Sequence, residues 1–162
     1  MKTLDCASFR AKLSGLARRR RIPLRVMLEL TYNCNFNCPH CYVPNSHKLS
    51  YRKRELPAAR WREIISQLAE EGCLQIGFTG GEPLLKKGFF SILRHAKRCG
   101  LETYLYTNGS LIDSQTARQL RRAGCDKADI TIPAIGKSAF EKVTGAASCH
   151  QRFLRAAALL KK

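Results

Sequence analysis

The sequence has no long apolar run. No stretch approaches the ~20 residues that cross a bilayer as a helix, and the N-terminus lacks the apolar segment of a secretory signal. The expected setting is therefore the reducing cytoplasm, with no membrane partner. Acid is scarce as well. Only 12 Asp and Glu stand against 29 Lys and Arg, for a formal net charge of +17. The densest basic stretch is Arg18-Arg19-Arg20-Arg21, followed by Arg25. Such charge attracts acidic partners. No aromatic stacking motif or nucleic-acid module accompanies it. A solvated basic surface, or an acidic protein or peptide partner, is expected ahead of nucleic acid. Nor does the sequence offer a convincing Ser-His-Asp set or carboxylate pair.

Cysteine is what the chain does have. Eight occur, at positions 6, 34, 38, 41, 73, 99, 125 and 149. With no export signal, a disulfide framework is not expected. Cys73, Cys99 and Cys125 each adjoin a glycine at an expected helix end and read as small buried apolar residues. Cys34, Cys38 and Cys41 differ. They follow an apolar run, 24–31, at spacing C-x3-C-x2-C. Three thiolates that close together can hold one metal centre, cannot all pair as disulfides, and leave a fourth ligand position open. Zinc is one reading, because C-x2–4-C spacing occurs in zinc sites and His40 lies inside the loop. Structural zinc usually takes two ligand pairs, however, and no second pair stands out. A [4Fe–4S] cluster with one iron not bound by the protein is the other reading.

Taken in order, residues 1–22 read as a basic leader helix whose Phe9, Leu13 and Leu16 could pack one face on the domain. The alternation of Leu24, Val26, Leu28 and Leu30 suits a first strand. Residues 44–56 form a polar connection. Trp61, Ile64, Ile65 and Leu68 then set a helix that stops at Gly72. Strands are expected at 74–79, 102–106 and about 128–132. Between them lie helices marked by Phe89, Ile92, Leu93 and Ala96, and by an Asp113 N-cap. Phe153, Leu154, Ala157 and Ala158 mark a last helix after a loop with Gly136 and Gly145. Four strand–helix units in a row, without a hairpin between them, imply parallel strands with right-handed crossovers. Cys34–Cys41, Gly80–Glu82 and Thr107–Asn108 then each follow a strand's C-terminal end, the rim where parallel α/β folds build their sites.

Residues 30–42, with Cys34, Cys38, Cys41 and Tyr42, resemble the cluster loop of the radical SAM superfamily. The resemblance continues through Gly80-Gly81-Glu82-Pro83, Thr107-Asn108-Gly109 and Glu141-Lys142-Val143-Thr144-Gly145, and so covers nearly all of 23–162. The likeness is greatest to the SPASM-type peptide and protein maturases. It implies that Cys34, Cys38 and Cys41 bind three irons of a [4Fe–4S] cluster, and that S-adenosylmethionine chelates the fourth. It places Tyr42 near the adenine. Gly80, Gly81 and Glu82 would receive the methionine amino group, since glycine admits close backbone approach and a carboxylate suits an ammonium. Asn108 either points at the cofactor or substrate, or caps the turn with Gly109. Thr131 takes the place of a hydroxyl contact to the methionyl or ribose part, although an alignment on Gly136 would put Pro133 there instead. A low-potential donor of flavodoxin or ferredoxin type and a peptide or protein substrate are the implied partners.

The fold class expected is an incomplete parallel (β/α) barrel, about four strand–helix units of a six-unit partial barrel. A leader occupies 1–22 and the core 23–162. At ~31 residues per unit, six units need roughly 190 residues, whereas about 140 follow Pro23. A core truncated after the fourth unit, needing a complementing chain or lacking full activity, is therefore expected.

Overall fold

The structure is a computed structural model, and it describes residues 5–43, 51, 54–146 and 148–160. Most of the polar connection expected at 44–56 lies outside the described residues, as do the first four residues of the expected leader. The elements run α1 (Cys6–Arg20), β1 (Arg25–Thr31), α2 (Ala58–Glu70), β2 (Gln75–Gly80), a 3-10 turn (Pro83–Leu85), α3 (Phe89–Arg98), β3 (Glu102–Thr107), α4 (Ser114–Ala123), β4 (Lys127–Ile130), α5 (Lys137–Thr144) and α6 (His150–Leu160).

All four strands pair in parallel in the order β1-β2-β3-β4. The sheet is the open, partial (β/α) barrel that the strand–helix alternation implies. Each strand's period of two splits its residues between two faces. Leu28, Leu30, Ile76, Phe78 and Leu105 face the helices and join Ile65, Phe89, Ile92 and Leu93 in the main core. Arg25, Met27 and Glu29 take the other face. There Gly77 lets two side chains close over the sheet, because a Cβ on it would lie 2.4 Å from Met27 Sδ and 3.0 Å from Tyr106 Cε2.

Helix ends follow the expected signals. Asp113 caps α4 by accepting from Thr116 N at 2.7 Å, and Gly124 closes it at φ 83°. Four expectations need correction. Phe9 and Leu16 are exposed and only Ala17 of α1 is buried, because α1 docks by its C-terminal end, where Ile22 N donates to Ala17 O and Ile22 packs on Gly72. The span between Gly136 and Gly145 is not only loop; it contains α5, whose Phe140 is fully buried. On α6 the buried positions are Phe153 and Ala156, while Leu154 is exposed, so the stripe runs at i and i+3. Cys73 is buried as expected, but Cys99 and Cys125 are only partly so.

A second, smaller core forms from Phe36, Phe140, Cys149 and Phe153. Phe36 and Phe140 meet edge to face, with centroids 5.8 Å apart at 88°. A mostly buried ion pair fixes the end of β1: Lys86 Nζ lies 3.0 Å from Glu55 Oε2. Glu55 Oε1 in turn accepts from Thr31 Oγ1 and from Tyr32 N. Burial pushes the Glu55 carboxyl up, but the bonds from Thr31 and Lys86 and the Lys86 charge outweigh it and hold the group below its ordinary 4.5.

Two outcomes follow. Phe140→Ala should lower unfolding stability by about 3 kcal/mol, read from urea denaturation with an unchanged slope. Because the folded-state value of Glu55 is depressed, its stabilisation is full above 4.5 and lost as pH falls through the folded value. Glu55→Gln should therefore lower the urea midpoint at about pH 7 and make it fall less steeply towards about pH 3.

Candidate functional site

The rim of the site is made by the ends of β1, β2 and β3, held together largely through backbone. Gly81 N donates to Thr31 O at 2.7 Å and Glu82 N to Asn33 O at 2.8 Å. The approach is too close for side chains. A Cβ on Gly80 would lie 2.2 Å from Thr31 O, and one on Gly81 2.3 Å from Asn33 O. Gly80 also has φ 131°, a conformation open to glycine and strained for other residues. The requirement for glycine thus already arises from the packing of residues 80–81 on residues 31–33.

Glu82 is fully buried. Thr107 Oγ1 donates to its carboxylate at 2.9 Å from either oxygen, Asn108 N at 2.9 Å and Leu84 N at 3.1 Å. Burial raises this carboxyl above its ordinary value, and the bonds from Asn108, Leu84 and Thr107 oppose that shift without cancelling it. Those three donors leave part of a carboxylate's roughly four acceptor positions open. The structure therefore turns the Glu82 side chain first onto β3, where it fixes the Thr107–Asn108 corner.

Asn108 both caps its turn and reaches across the rim. Its Oδ1 accepts from Ser110 N at 2.9 Å and Ser110 Oγ at 2.7 Å. Its Nδ2 donates to Asn35 Oδ1 at 2.9 Å and lies 3.9 Å from Cys34 Sγ. Thr131, expected inside the strand, stands one residue past the end of β4. Its N donates to Thr107 O at 3.0 Å, and its side chain is exposed beside the Asn108 corner.

The cysteine loop rests on the second core, with Cys34 and Cys38 packed against it. Asn37 N donates to Thr144 O at 2.8 Å, so the end of α5 props the loop from below. Phe36 N donates to Cys34 Sγ at 3.4 Å, and Cys41 N to Cys38 O at 3.1 Å. Cys34, Cys38 and Cys41 are all partly exposed, and none is disulfide-bonded. An all-thiol donor set with N–H groups directed at sulfur suits an iron–sulfur cluster, whose properties depend on such bonds. Among the described residues no three His, Cys, Asp or Glu side chains converge as a site for one ion. Thiolates bound to different irons stand farther apart than the ligands of a single ion, so the cluster reading is compatible with this spacing. Tyr42, after the last cysteine, donates through its hydroxyl to Glu29 Oε1 at 2.9 Å. Partial burial, with the Glu29 bond and charge adding to it, pushes that hydroxyl up to about 12.

Several supporting residues were not legible as such in the sequence. Glu29 looks like the polar phase of a strand, and Glu55 falls in a polar connection. Asn35 and Ser110 look like ordinary loop residues, though Asn35 Nδ2 donates to Ser110 Oγ at 2.7 Å. The alternation along β1 was the available signal for Glu29. No local signal marks the others.

Known proteins resemble this chain in sequence and in fold. A model of the radical SAM superfamily matches residues 28–162. The PqqA peptide cyclase of Bradyrhizobium diazoefficiens is 34% identical over 136 residues, which is 84% of this chain and 35% of that protein. That of Gluconobacter oxydans is 32% identical over 139 residues, covering 86% and 38%. The chain thus spans little more than a third of the curated relatives it matches. Among solved structures, Streptococcus suis SuiB bound to precursor peptide SuiA superposes with a TM-score of 0.72 at 20% identity, covering 91% of this chain and 33% of that one. Native anSMEcpe with bound AdoMet gives 0.68 at 20% identity, covering 85% and 40%. The two structures share the fold. Among the described residues no helix is long and apolar enough to cross a membrane. On the extent of the family match, the chain belongs to the radical SAM superfamily, whose cofactors are a [4Fe–4S] cluster and S-adenosylmethionine.

Proposed function

We propose that this chain is the core of a radical SAM enzyme that modifies a peptide or protein, as a maturase does. Cys34, Cys38 and Cys41 would hold three irons of the cluster, leaving the fourth to the amino and carboxylate groups of S-adenosylmethionine. When bound, the pair supplies reductive cleavage to methionine and a 5'-deoxyadenosyl radical that abstracts hydrogen from the substrate. The chain binds and orients. Gly80 and Gly81 bring backbone close to the methionine amino group, and Glu82 has acceptor capacity left for it. Tyr42 would lie near the adenine. Asn108 and Thr131 offer an amide and a hydroxyl to the ribose or methionyl part.

The observation that carries this reading is the direct bonding of three strand-end motifs into one rim. Residues 80–82 bond to residues 31–33, and Asn108 bonds to both Glu82 and Asn35. The peptide class is supported by the relatives, which are named as peptide cyclases, and by the precursor peptide bound to SuiB. A low-potential donor of flavodoxin or ferredoxin type supplies the electron, and a net charge of +17 suits an acidic one. The cytoplasm is the compartment that suits thiols and such donors.

One observation favours a second reading, a cluster-binding subunit that works with a complementing chain. Among the described residues β4 pairs with β3 alone, so its outer edge offers unpaired backbone groups to another strand.

Anaerobic reconstitution with iron and sulfide tests both. The chain should take up about four irons with matching sulfide, whereas zinc uptake without sulfide would refute the cluster. With dithionite and S-adenosylmethionine it should release 5'-deoxyadenosine and methionine. Cluster uptake without those products would favour the second reading. Cys38→Ala should abolish both cluster and products. For the cofactor contacts, Thr131→Val should leave iron content unchanged and weaken S-adenosylmethionine binding about 3- to 10-fold by equilibrium dialysis. Unchanged binding would remove Thr131 from the site.

A further inference from the structure

Glu29 sits on the sheet face opposite Leu28 and Leu30, which point into the helix-facing core. Its register partner on β2 is Thr79, so it stands level with the turn into Gly80–Gly81. Each carboxylate oxygen accepts one tyrosine hydroxyl. Tyr32 donates to Oε2 and Tyr42 to Oε1, both at 2.9 Å. Tyr32 lies two residues before Cys34, and Tyr42 directly follows Cys41. A single side chain on β1 therefore joins the two ends of the loop that carries all three clustered cysteines.

We propose that Glu29 is a positioning residue of the S-adenosylmethionine site: by holding the Tyr32 and Tyr42 hydroxyls it fixes both ends of the cysteine loop and sets the Tyr42 ring for the adenine. The inference rests on the reading of the loop given under "Proposed function". Tyr42 is 67% exposed, so packing alone does not hold its ring. A bond at the far tip of the side chain, made to a rigid strand, does. A carboxylate is suited to this task because it only accepts, and its two oxygens can serve two donors without competition. Hydrogen bonds to an ionised acceptor are also the stronger kind. On the other side, Tyr32 packs against the Tyr51 ring at 5.1 Å, so the brace continues towards the segment after the loop. A ring held in place before binding need not be ordered on binding, and this favours affinity. Glu29 needs no contact with the cofactor itself to have this effect.

The test uses the anaerobically reconstituted chain. Iron and sulfide content is measured first. The S-adenosylmethionine dissociation constant is then measured by equilibrium dialysis, and amide hydrogen exchange over residues 32–43 by mass spectrometry. All variants should keep the wild-type iron content. Tyr42→Phe, which keeps the ring and loses only the hydroxyl, should weaken binding about 5-fold, and Glu29→Leu about 10-fold. The double variant should bind no more weakly than Glu29→Leu, because the two residues act through one bond. Glu29→Gln, which retains an acceptor oxygen, should recover part of the loss. Exchange over residues 32–43 should quicken in Glu29→Leu. Wild-type binding by both single variants, additive losses in the double variant, or a loss of affinity that only follows a loss of iron would each overturn the proposal. If the wild-type chain takes up the cluster but does not bind S-adenosylmethionine, the cofactor reading fails instead. Glu29 is then judged as a loop brace by exchange alone, and unchanged exchange in Glu29→Leu overturns that too.

Discussion

The site depends on one backbone contact, the seating of residues 80–82 on residues 31–33. Two hydrogen bonds make it, from Gly81 N and Glu82 N, and the absence of side chains at positions 80 and 81 permits it. Everything else on the rim is placed relative to this contact. It brings Glu82 to the position where its carboxylate can be buried against Thr107 and Asn108. Asn108, once fixed, reaches Asn35 in the cysteine loop. A chain of short bonds thus runs from β1 through β2 to β3 and back into the loop that follows β1. Burying a carboxylate is costly unless it is well satisfied. Here part of the cost is offset by donors that the rim needs to fix in any case, and burial still outweighs them.

The cysteine loop is supported from two sides of different character. Beneath it lies an apolar seat, Phe36 on Phe140 and Phe153, which excludes water from the protein side. Above it lies a polar rim of amides, hydroxyls and carboxylates. Hydrogen bonds to sulfur and the exclusion of solvent are two of the levers by which a protein tunes an iron–sulfur centre. Both are present around Cys34: Phe36 N donates to its sulfur, and the aromatic cluster packs on its flank.

The sequence made the fold legible because the signals were local and agreed with one another. Period-two alternation in 24–31, glycine stops and the Asp113 cap each point to the same βα order that the sheet adopts. The cysteine spacing and the strand-end position of Gly80–Glu82 were equally local. What stayed hidden depends on partners distant in sequence. The loop-like span before Gly145 hides a short helix, because α5 owes its place to Phe140 meeting Phe36 and Phe153. Lys86 looks like one more basic residue until Glu55 is beside it. Glu82 could be read as a free carboxylate, since nothing near it in the sequence announces Thr107. On α6, apolar letters outnumber buried positions, so pattern alone could not choose the face.

The strand order has a consequence in time. A chain emerges from its N-terminus, so its parts become available in that order. In the unbroken β1-β2-β3-β4 order each later strand pairs with the one synthesised before it. The cysteine loop is made early, and its supports arrive one after another. Residues 80–82 come first with β2, then Asn108 with β3, and last Thr144, whose carbonyl receives Asn37 N. The loop that carries the cysteines is among the first parts of the core to be synthesised and among the last to be fully held. The full set of contacts around its thiols can therefore form only after Thr144 has been synthesised.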